Sequence, residues 1–188
     1  MNKLVFFNFV LLSFFCPFVS ADKSRPNVII IFADDQGYGD LSCFGSEKIK
    51  TPHIDQLAKD GRRFTSFMVA SPVCTPSRAA LLTGCYPKRV GMHQHVLFPS
   101  SNKGLNPEEY TLADHFKSIG YSTACFGKWH LGHHKEVLPT SNGFDTYFGI
   151  PYSNDMNHPD NKGKPKGGVD GMDILWNDPE STLTKWKT

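Results

Sequence analysis

The sequence has 188 residues, of which 39% are hydrophobic and 13% aromatic, enough for a folded core and unlike a disordered or collagen-like chain. Its 20 Lys and Arg residues nearly balance its 18 Asp and Glu residues, giving a formal net charge of +2. A charge so small and scattered excludes an electrostatic surface for nucleic acid, and we expect no nucleic-acid partner. The 16 Gly and 13 Pro residues indicate a loop-rich, mixed α/β chain rather than a helical bundle.

Residues 1–21 have the pattern of an export signal. Lys3 provides the positive start, an almost wholly apolar run follows, and Val-Ser-Ala at 19–21 offers small residues for cleavage. The apolar run is shorter than a typical spanning helix, so we expect cleavage near Ala21 and no stable membrane insertion. The predicted organisation is a signal peptide followed by a mature chain, residues 22–188, exported to a secreted, periplasmic or lysosomal-type compartment.

The mature sequence alternates segments with strand and helix patterns. A continuous run of β-branched and aromatic residues at 27–33 predicts a strand that is covered on both faces and central in a parallel sheet. Further strands are predicted at 63–69 and 121–126. Three helices, each starting at a Thr cap and ending at Gly, are predicted over 51–61, 75–84 and 111–120. This alternation predicts βαβ units, with ligands bound beyond the carboxyl ends of the strands.

The sequence after Pro151 shows no regular pattern, and residues 162–168 are expected to form a solvated loop. An exported chain can form disulfides among its mature cysteines. Several cysteines and histidines lack the spacing of a metal site, and the histidines are interpreted as loop or packing residues. These residues are Cys43, Cys74, Cys85, Cys125, His93, His95, His133 and His134.

Two adjacent carboxylates lie at the carboxyl end of the first predicted strand. Asp34 and Asp35 precede Gly37 and Gly39, which let the backbone turn so that both carboxylates can reach one cation. Carboxylate oxygens favour a hard ion such as Ca²⁺ or Mg²⁺. Taken alone, however, the pair is more typical of an ordinary polar turn.

The segment Cys-Thr-Pro-Ser-Arg-Ala-Ala-Leu-Leu-Thr-Gly at 74–84 places a cysteine at the start of a predicted helix. Backbone N–H groups and the helix dipole there favour a sulfate, phosphate or thiolate. Arg78 lies four residues after Cys74, about one turn along the same face, where it can contact the group at position 74. A capped helix after a buried or disulfide-bonded cysteine explains the cysteine alone, but the pattern Cys-x-Pro-Ser-Arg arises by chance only about once in a thousand such chains.

The segment Gly-Lys-Trp-His-Leu-Gly at 127–132 directly follows the strand predicted at 121–126. If the extended conformation continues, Lys128 and His130 share one face and Trp129 points to the other. The pair offers a fixed cation for a tetrahedral anion and an imidazole for hydrogen bonding or proton transfer. In isolation, the tripeptide Lys-Trp-His at 128–130 is more typical of a surface strand end packed by its tryptophan.

Taken together, these segments resemble the type I, formylglycine-dependent sulfatases of the alkaline phosphatase-like superfamily. Residues 26–40 are similar to the family's opening strand and metal turn, 74–84 to its signature, and 120–132 to its second landmark. The resemblance covers about residues 25–156, in the family's order. It implies an α/β fold with a mixed, mainly parallel sheet and helices on both faces, of which this chain holds an incomplete part.

The resemblance also implies a chemistry. A formylglycine-generating enzyme would convert Cys74 to formylglycine, whose hydrate supplies the nucleophilic oxygen that attacks a sulfated small molecule or glycan. Arg78 and Lys128 would stabilise the hydrate and the sulfate charge, and His130 would orient or deprotonate the hydrate. The implied catalytic residues are Cys74, Arg78, Lys128 and His130, and the implied ligands of Ca²⁺ or Mg²⁺ are Asp34, Asp35 and residue 74.

Members of this family are usually much longer, and their later metal ligands, second histidine and second lysine lie beyond residue 188. The sequence is therefore interpreted as the N-terminal portion of an arylsulfatase-like enzyme, residues 22–188 belonging to its catalytic domain and inactive by themselves. Two alternatives stay open: a phosphomonoester or phosphonate hydrolase of the same superfamily, and a non-catalytic, anion-binding pseudoenzyme. The Cys-x-Pro-Ser-Arg pattern favours sulfate.

Overall fold

A computed structural model describes residues 25–157, 174–177 and 184–186. The chain divides into two compact units, Met1–Gln36 and Gly37–Thr188. The predicted signal peptide and the loop predicted at 162–168 lie outside the described residues. No helix in the described part of the chain is long and apolar enough to cross a membrane.

The described residues of the first unit form no regular element, so the strand predicted at 27–33 is wrong. Its β-branched side chains are exposed, Ile29 by 83% and Ile31 by 84%. A continuous apolar run indicates that the segment favours burial. A strand, however, also needs a neighbouring strand to form its backbone hydrogen bonds. The turn predicted after it is present, because Asp34 and Asp35 form a bend and Asp35 has a φ of 53°.

Two of the three predicted helices have the predicted starts. Helix α1, Pro52–Asp60, has Thr51 as its N-cap, a proline at its first position and Gly61 as its C-cap. The short helix α3, Leu112–Ser118, begins with a capping box. In this box Thr111 Oγ1 accepts from the Asp114 backbone N–H at 3.2 Å, and Asp114 Oδ2 accepts from the Thr111 N–H at 2.9 Å. Both starts rest on local signals, which explains why the sequence predicts them.

Helix α2, Cys74–Thr83, begins two residues earlier than predicted, because its N-cap is Val73 and not Thr75. The predicted cap at Thr75 is therefore wrong, because the Thr75 hydroxyl contacts residues distant in sequence instead. The helix ends as predicted at Gly84, whose φ of 65° is left-handed and suits glycine. The shift places Cys74 itself in the first turn of the helix.

The four strands of the described chain form one mixed sheet in the order β1-β2-β3-β4. Strands β1 and β2 are parallel, with Lys128 opposite Ile150, whereas β3 is antiparallel to both β2 and β4. The strand predicted at 121–126 corresponds to β1, which lies further toward the carboxyl end. The last two strands, β3 and β4, were not predicted, because the sequence after Pro151 shows no regular pattern. The bounds are β1 Ala124–Lys128, β2 Thr146–Ile150, β3 Ile174–Asn177 and β4 Thr184–Trp186.

The strand predicted at 63–69 is also wrong, because no strand is assigned there. Phe64, Phe67 and Met68 are exposed, so this segment has strand-like composition without a paired, half-buried surface. None of the four cysteines in the described chain is in a disulfide. The exported destination predicted from the sequence allows such bonds without requiring them.

The core of the second unit lies between α2 and the segment that follows β1. Ala79 of α2 is fully buried, and so are Leu131, Leu138 and Tyr147. Trp129 is 2% exposed and its Nε1 donates to the Val137 carbonyl at 2.9 Å. This packing holds the start of α2 beside the carboxyl end of β1.

Candidate active site

The cysteine of the first motif and the lysine of the second meet where α2 begins and β1 ends. Lys128 Nζ donates to Cys74 Sγ at 3.1 Å, and both residues are half-buried. The two residues are 54 positions apart in the sequence. Their contact places a positive charge against the side chain at the first turn of a ten-residue helix, where backbone N–H groups also favour an anion.

Arg78 joins the same group of residues through the backbone of β1. Its Nη1 donates to the Lys128 carbonyl at 2.6 Å, while its position one turn after Cys74 follows from the helix. The guanidinium also acts on Cys125, whose pKa is raised to about 11 by burial and is lowered only in part by the Arg78 charge. Two cations therefore lie near the start of α2.

Ser153 is a site residue that the sequence did not indicate. Its Oγ lies 3.1 Å from Lys128 Nζ, which therefore reaches Cys74 and Ser153 together. The parallel pairing of β1 and β2 explains this position, because Lys128 lies opposite Ile150 and the two strands end side by side. A prediction of β2 as a strand parallel to β1 would have indicated Ser153, because this residue follows the end of β2.

His130 is fully buried and does not continue the extended conformation of β1. Its φ is 60°, in the left-handed region, so the expected alternation of Lys128, Trp129 and His130 across two faces ends at this residue. Its Nε2 lies 2.8 Å from the Leu97 carbonyl oxygen, and its backbone N–H donates to Pro151 O at 2.9 Å. The imidazole is thus fixed inside the protein by its contact with Leu97.

Tyr152 packs against His130 with an edge-to-face geometry and a centroid distance of 5.5 Å. Its hydroxyl lies 2.7 Å from His133 Nδ1, and burial raises the pKa of Tyr152 to about 12. His133 stacks on His134 with a centroid distance of 4.1 Å. These contacts agree with the interpretation of His133 and His134 as loop or packing residues.

Thr75 connects His130 to the residue that follows Cys74. Its Oγ1 donates to the His130 carbonyl at 2.8 Å and accepts from the Leu97 N–H at 3.0 Å. Thr75 is fully buried. His130 is therefore connected to the start of α2 by the hydrogen bond between its carbonyl and Thr75, whereas Lys128 contacts Cys74 directly.

The predicted metal ligands divide between the two units. Asp34 and Asp35 belong to the first unit and residue 74 to the second. The carboxylate oxygens have the chemistry that a hard divalent cation prefers. The described residues contain no group of three or more His, Cys, Asp or Glu residues that could hold a metal ion. The oxygen donors of Asp34 and Asp35 thus fit Ca²⁺ or Mg²⁺, but a complete coordination shell needs further ligands.

Comparisons with known proteins identify the family of this chain. The family model described as Sulfatase matches residues 26–182. The chain belongs to the sulfatase family. Arylsulfatase A of Homo sapiens is 54% identical over 133 residues, which are 70% of this chain and 26% of that protein. Steryl-sulfatase of Mus musculus is 46% identical over 144 residues, 69% of this chain and 22% of that protein.

The fold comparison leads to the same sulfatase family. The crystal structure of the PsFucS1 sulfatase from Pseudoalteromonas sp. matches with a TM-score of 0.66 at 29% identity, over 80% of this chain and 33% of that chain. The predicted alkaline phosphatase-like α/β class is thereby confirmed. The chain spans about a quarter of the length of these two curated sulfatases.

Proposed function

We propose that the protein hydrolyses sulfate esters with an oxygen nucleophile carried by residue 74. The observation that carries the proposal is the contact between Lys128 Nζ and Cys74 Sγ at 3.1 Å, in the first turn of α2. A formylglycine formed from Cys74 supplies a hydrate oxygen as the nucleophile. Its position fits such an oxygen, because the Sγ position already accepts a hydrogen bond from a cation.

The side chains around residue 74 supply charge and orientation. Lys128 donates to the group at position 74 and to Ser153 Oγ, so the ammonium is held before substrate arrives. Arg78, whose Nη1 donates to the Lys128 carbonyl, adds a second positive charge. Together they stabilise the negative charge on the sulfate oxygens in the transition state, with little reorganisation. His130 accepts a proton from, or orients, the nucleophilic oxygen.

Asp34 and Asp35 are proposed to bind Ca²⁺, or Mg²⁺, together with the oxygen at residue 74. The bend at these residues and the φ of 53° at Asp35 support a turn that presents two neighbouring carboxylates. When bound, the cation would supply Lewis-acid polarisation of the sulfate group. A hard cation of this kind takes about six to eight oxygen ligands, so other residues or waters complete the set.

The substrates, partners and destination are proposed from the motifs and the family. The substrate is a sulfated small molecule or glycan, and aryl sulfates are a suitable first probe. A formylglycine-generating enzyme is the partner that modifies Cys74. Residues 1–21 are proposed to be removed near Ala21 during export to a secreted, periplasmic or lysosomal-type compartment, leaving residues 22–188 as part of the catalytic domain.

The test uses the full-length protein, produced together with a formylglycine-generating enzyme. Mass spectrometry of the peptide containing residue 74 should show the aldehyde, and the protein should hydrolyse an aryl sulfate. A folded Cys74→Ala variant should have no activity. Cys74→Ser should accumulate a sulfated enzyme, since a serine ester has no second hydroxyl to expel sulfate. Full activity in Cys74→Ala would refute the nucleophile.

The same experiment separates the alternatives. A helix start with two cations also suits a phosphate, so phosphomonoesters and phosphonates are assayed in parallel. Preferential hydrolysis of either phosphorus ester would support the phosphohydrolase. An intact thiol at position 74 together with sulfate binding but no turnover would support the non-catalytic, anion-binding protein. Aldehyde formation with sulfate ester turnover supports the proposed function.

A further inference from the structure

Three hydrogen bonds join Thr75, Leu97 and His130 in what we call the Thr75 network. Thr75 Oγ1 donates to the His130 carbonyl and accepts from the Leu97 N–H, while the His130 imidazole contacts the Leu97 carbonyl. Thr75 and His130 are 0% exposed, and Leu97 is 5% exposed. Because water cannot replace a lost partner at such a depth, each broken bond leaves a buried polar group unsatisfied.

The network holds His130 in a backbone conformation that a histidine rarely adopts. With a φ of 60°, the residue is in the left-handed region, which costs free energy and persists only when the surroundings determine it. The Pro151 carbonyl accepts from its N–H at 2.9 Å, and the Thr75 hydroxyl donates to its carbonyl at 2.8 Å. Thr75 therefore supplies a backbone contact on the carbonyl side of this residue, and Pro151 supplies one on its N–H side.

The same network sets the tautomer of His130. A carbonyl oxygen can only accept, so Nε2 must carry the proton that it donates to Leu97 O at 2.8 Å. In the neutral imidazole, Nδ1 is then the nitrogen that accepts a proton. The Leu97 backbone that imposes this choice is itself held by the Thr75 hydroxyl at 3.0 Å.

We propose that Thr75 is a positioning residue for sulfate ester hydrolysis, acting through His130. It occupies the unspecified position of the Cys-x-Pro-Ser-Arg pattern and directly follows the residue that carries the nucleophile. One hydroxyl therefore determines both the placement of His130 relative to residue 74 and the His130 nitrogen that takes up a proton. This inference rests on the proposed function.

The kinetic test compares two substitutions in the full-length, formylglycine-containing protein. Thr75→Val keeps the shape and removes the hydroxyl, and should lower kcat for an aryl sulfate at least about tenfold with KM within about threefold. Thr75→Ser keeps the hydroxyl and should retain kcat within about threefold. Rates are normalised to the fraction of residue 74 converted, measured by mass spectrometry, because Thr75 lies within the modification motif.

Thr83→Val is the matched control in the same helix. Its hydroxyl donates to the Ala79 carbonyl at 2.7 Å and makes no contact with His130 among those described, so kcat should stay within about twofold of the wild type. A normalised kcat for Thr75→Val that also stays within about twofold would overturn the proposal. If Thr75→Val does not fold, Thr75→Ser decides: a folded serine variant with kcat lowered more than about tenfold overturns it.

A spectroscopic measurement distinguishes failure of this inference from failure of the proposed function. Nitrogen NMR of ¹⁵N-histidine-labelled protein, with His130 assigned by its loss in His130→Gln, should show a protonated Nε2 in slow exchange with water. Thr75→Val should speed this exchange or change the tautomer, whereas Thr83→Val should not. An unchanged His130 signal in Thr75→Val overturns the inference even if sulfate is hydrolysed. A protein without sulfatase activity refutes the proposed function, while this signal still tests the positioning by Thr75.

Discussion

Replacement of Lys128 by methionine should remove most of the catalytic rate while preserving the fold. The substitution keeps the length of the side chain but deletes the ammonium that lies 3.1 Å from both Cys74 Sγ and Ser153 Oγ. Two unit charges about 4 Å apart interact by about 4 kcal/mol at the effective dielectric of a protein surface. Loss of one preorganised donor to a reacting anion lowers kcat about 10²–10³-fold, and we expect a decrease in this range.

The effect on stability should be much smaller, because Lys128 is half-buried and its apolar stem is retained in methionine. We expect the free energy of unfolding to change by about 1 kcal/mol or less. Aryl sulfate turnover, thermal melting and the converted fraction of residue 74 should be measured on the same preparation. Lys128→Arg should recover only part of the rate, since a guanidinium cannot reproduce a compact ammonium between two acceptors.

Lys117→Met is the matched control for Lys128→Met. Lys117 pairs with Asp145 at 2.7 Å on the surface of α3, and its side chain is 53% exposed. A surface ion pair contributes about 0–1 kcal/mol, so the control should change neither turnover nor melting substantially. The reasoning is refuted if Lys128→Met keeps kcat within about tenfold of the wild type, or if Lys117→Met loses as much.

Four further outcomes are expected. Chelation should inactivate the full-length protein reversibly, with activity restored by Ca²⁺ or Mg²⁺, and Asp35→Asn should weaken metal binding; unchanged turnover after exhaustive chelation would contradict the metal role. Hydrogen bonds from Ser42, and then from Thr51 and Cys43, lower the pKa of Asp55 below its usual 3.8. Its contribution to stability is therefore complete above that value and lost as the pH falls through the folded pKa, a dependence that acid titration should find reduced in Asp55→Asn. The 188-residue chain by itself should show no sulfatase activity, and turnover of about one per second or faster would contradict this. It should also be poorly soluble, since Ile29, Ile31 and Met68 are more than 80% exposed. Amino-terminal sequencing of the exported protein should begin near Asp22, whereas an intact Met1 would refute cleavage.

Elements defined by neighbouring residues were predictable from the sequence. The Thr-Pro start and glycine end of α1 and the capping box of α3 are short-range signals, because helix hydrogen bonds join residues four apart. The relation of Arg78 to Cys74 follows from the same period. The strands at 27–33 and 63–69 failed as predictions, since apolar composition cannot specify whether a partner strand completes the ladder.

The sequence by itself determined the family and most of the candidate residues, since the motifs combine chemically rare residue types at fixed short spacings. Only the tertiary structure decided which of them meet. Parallel pairing of β1 and β2 brought Ser153 to Lys128 across 25 positions, and packing of α2 brought Cys74 to Lys128 across 54. The role of Thr75 and the left-handed backbone of His130 depend on contacts between residues up to 55 positions apart. Such contacts form only when the core has closed, and no local preference along the chain encodes them.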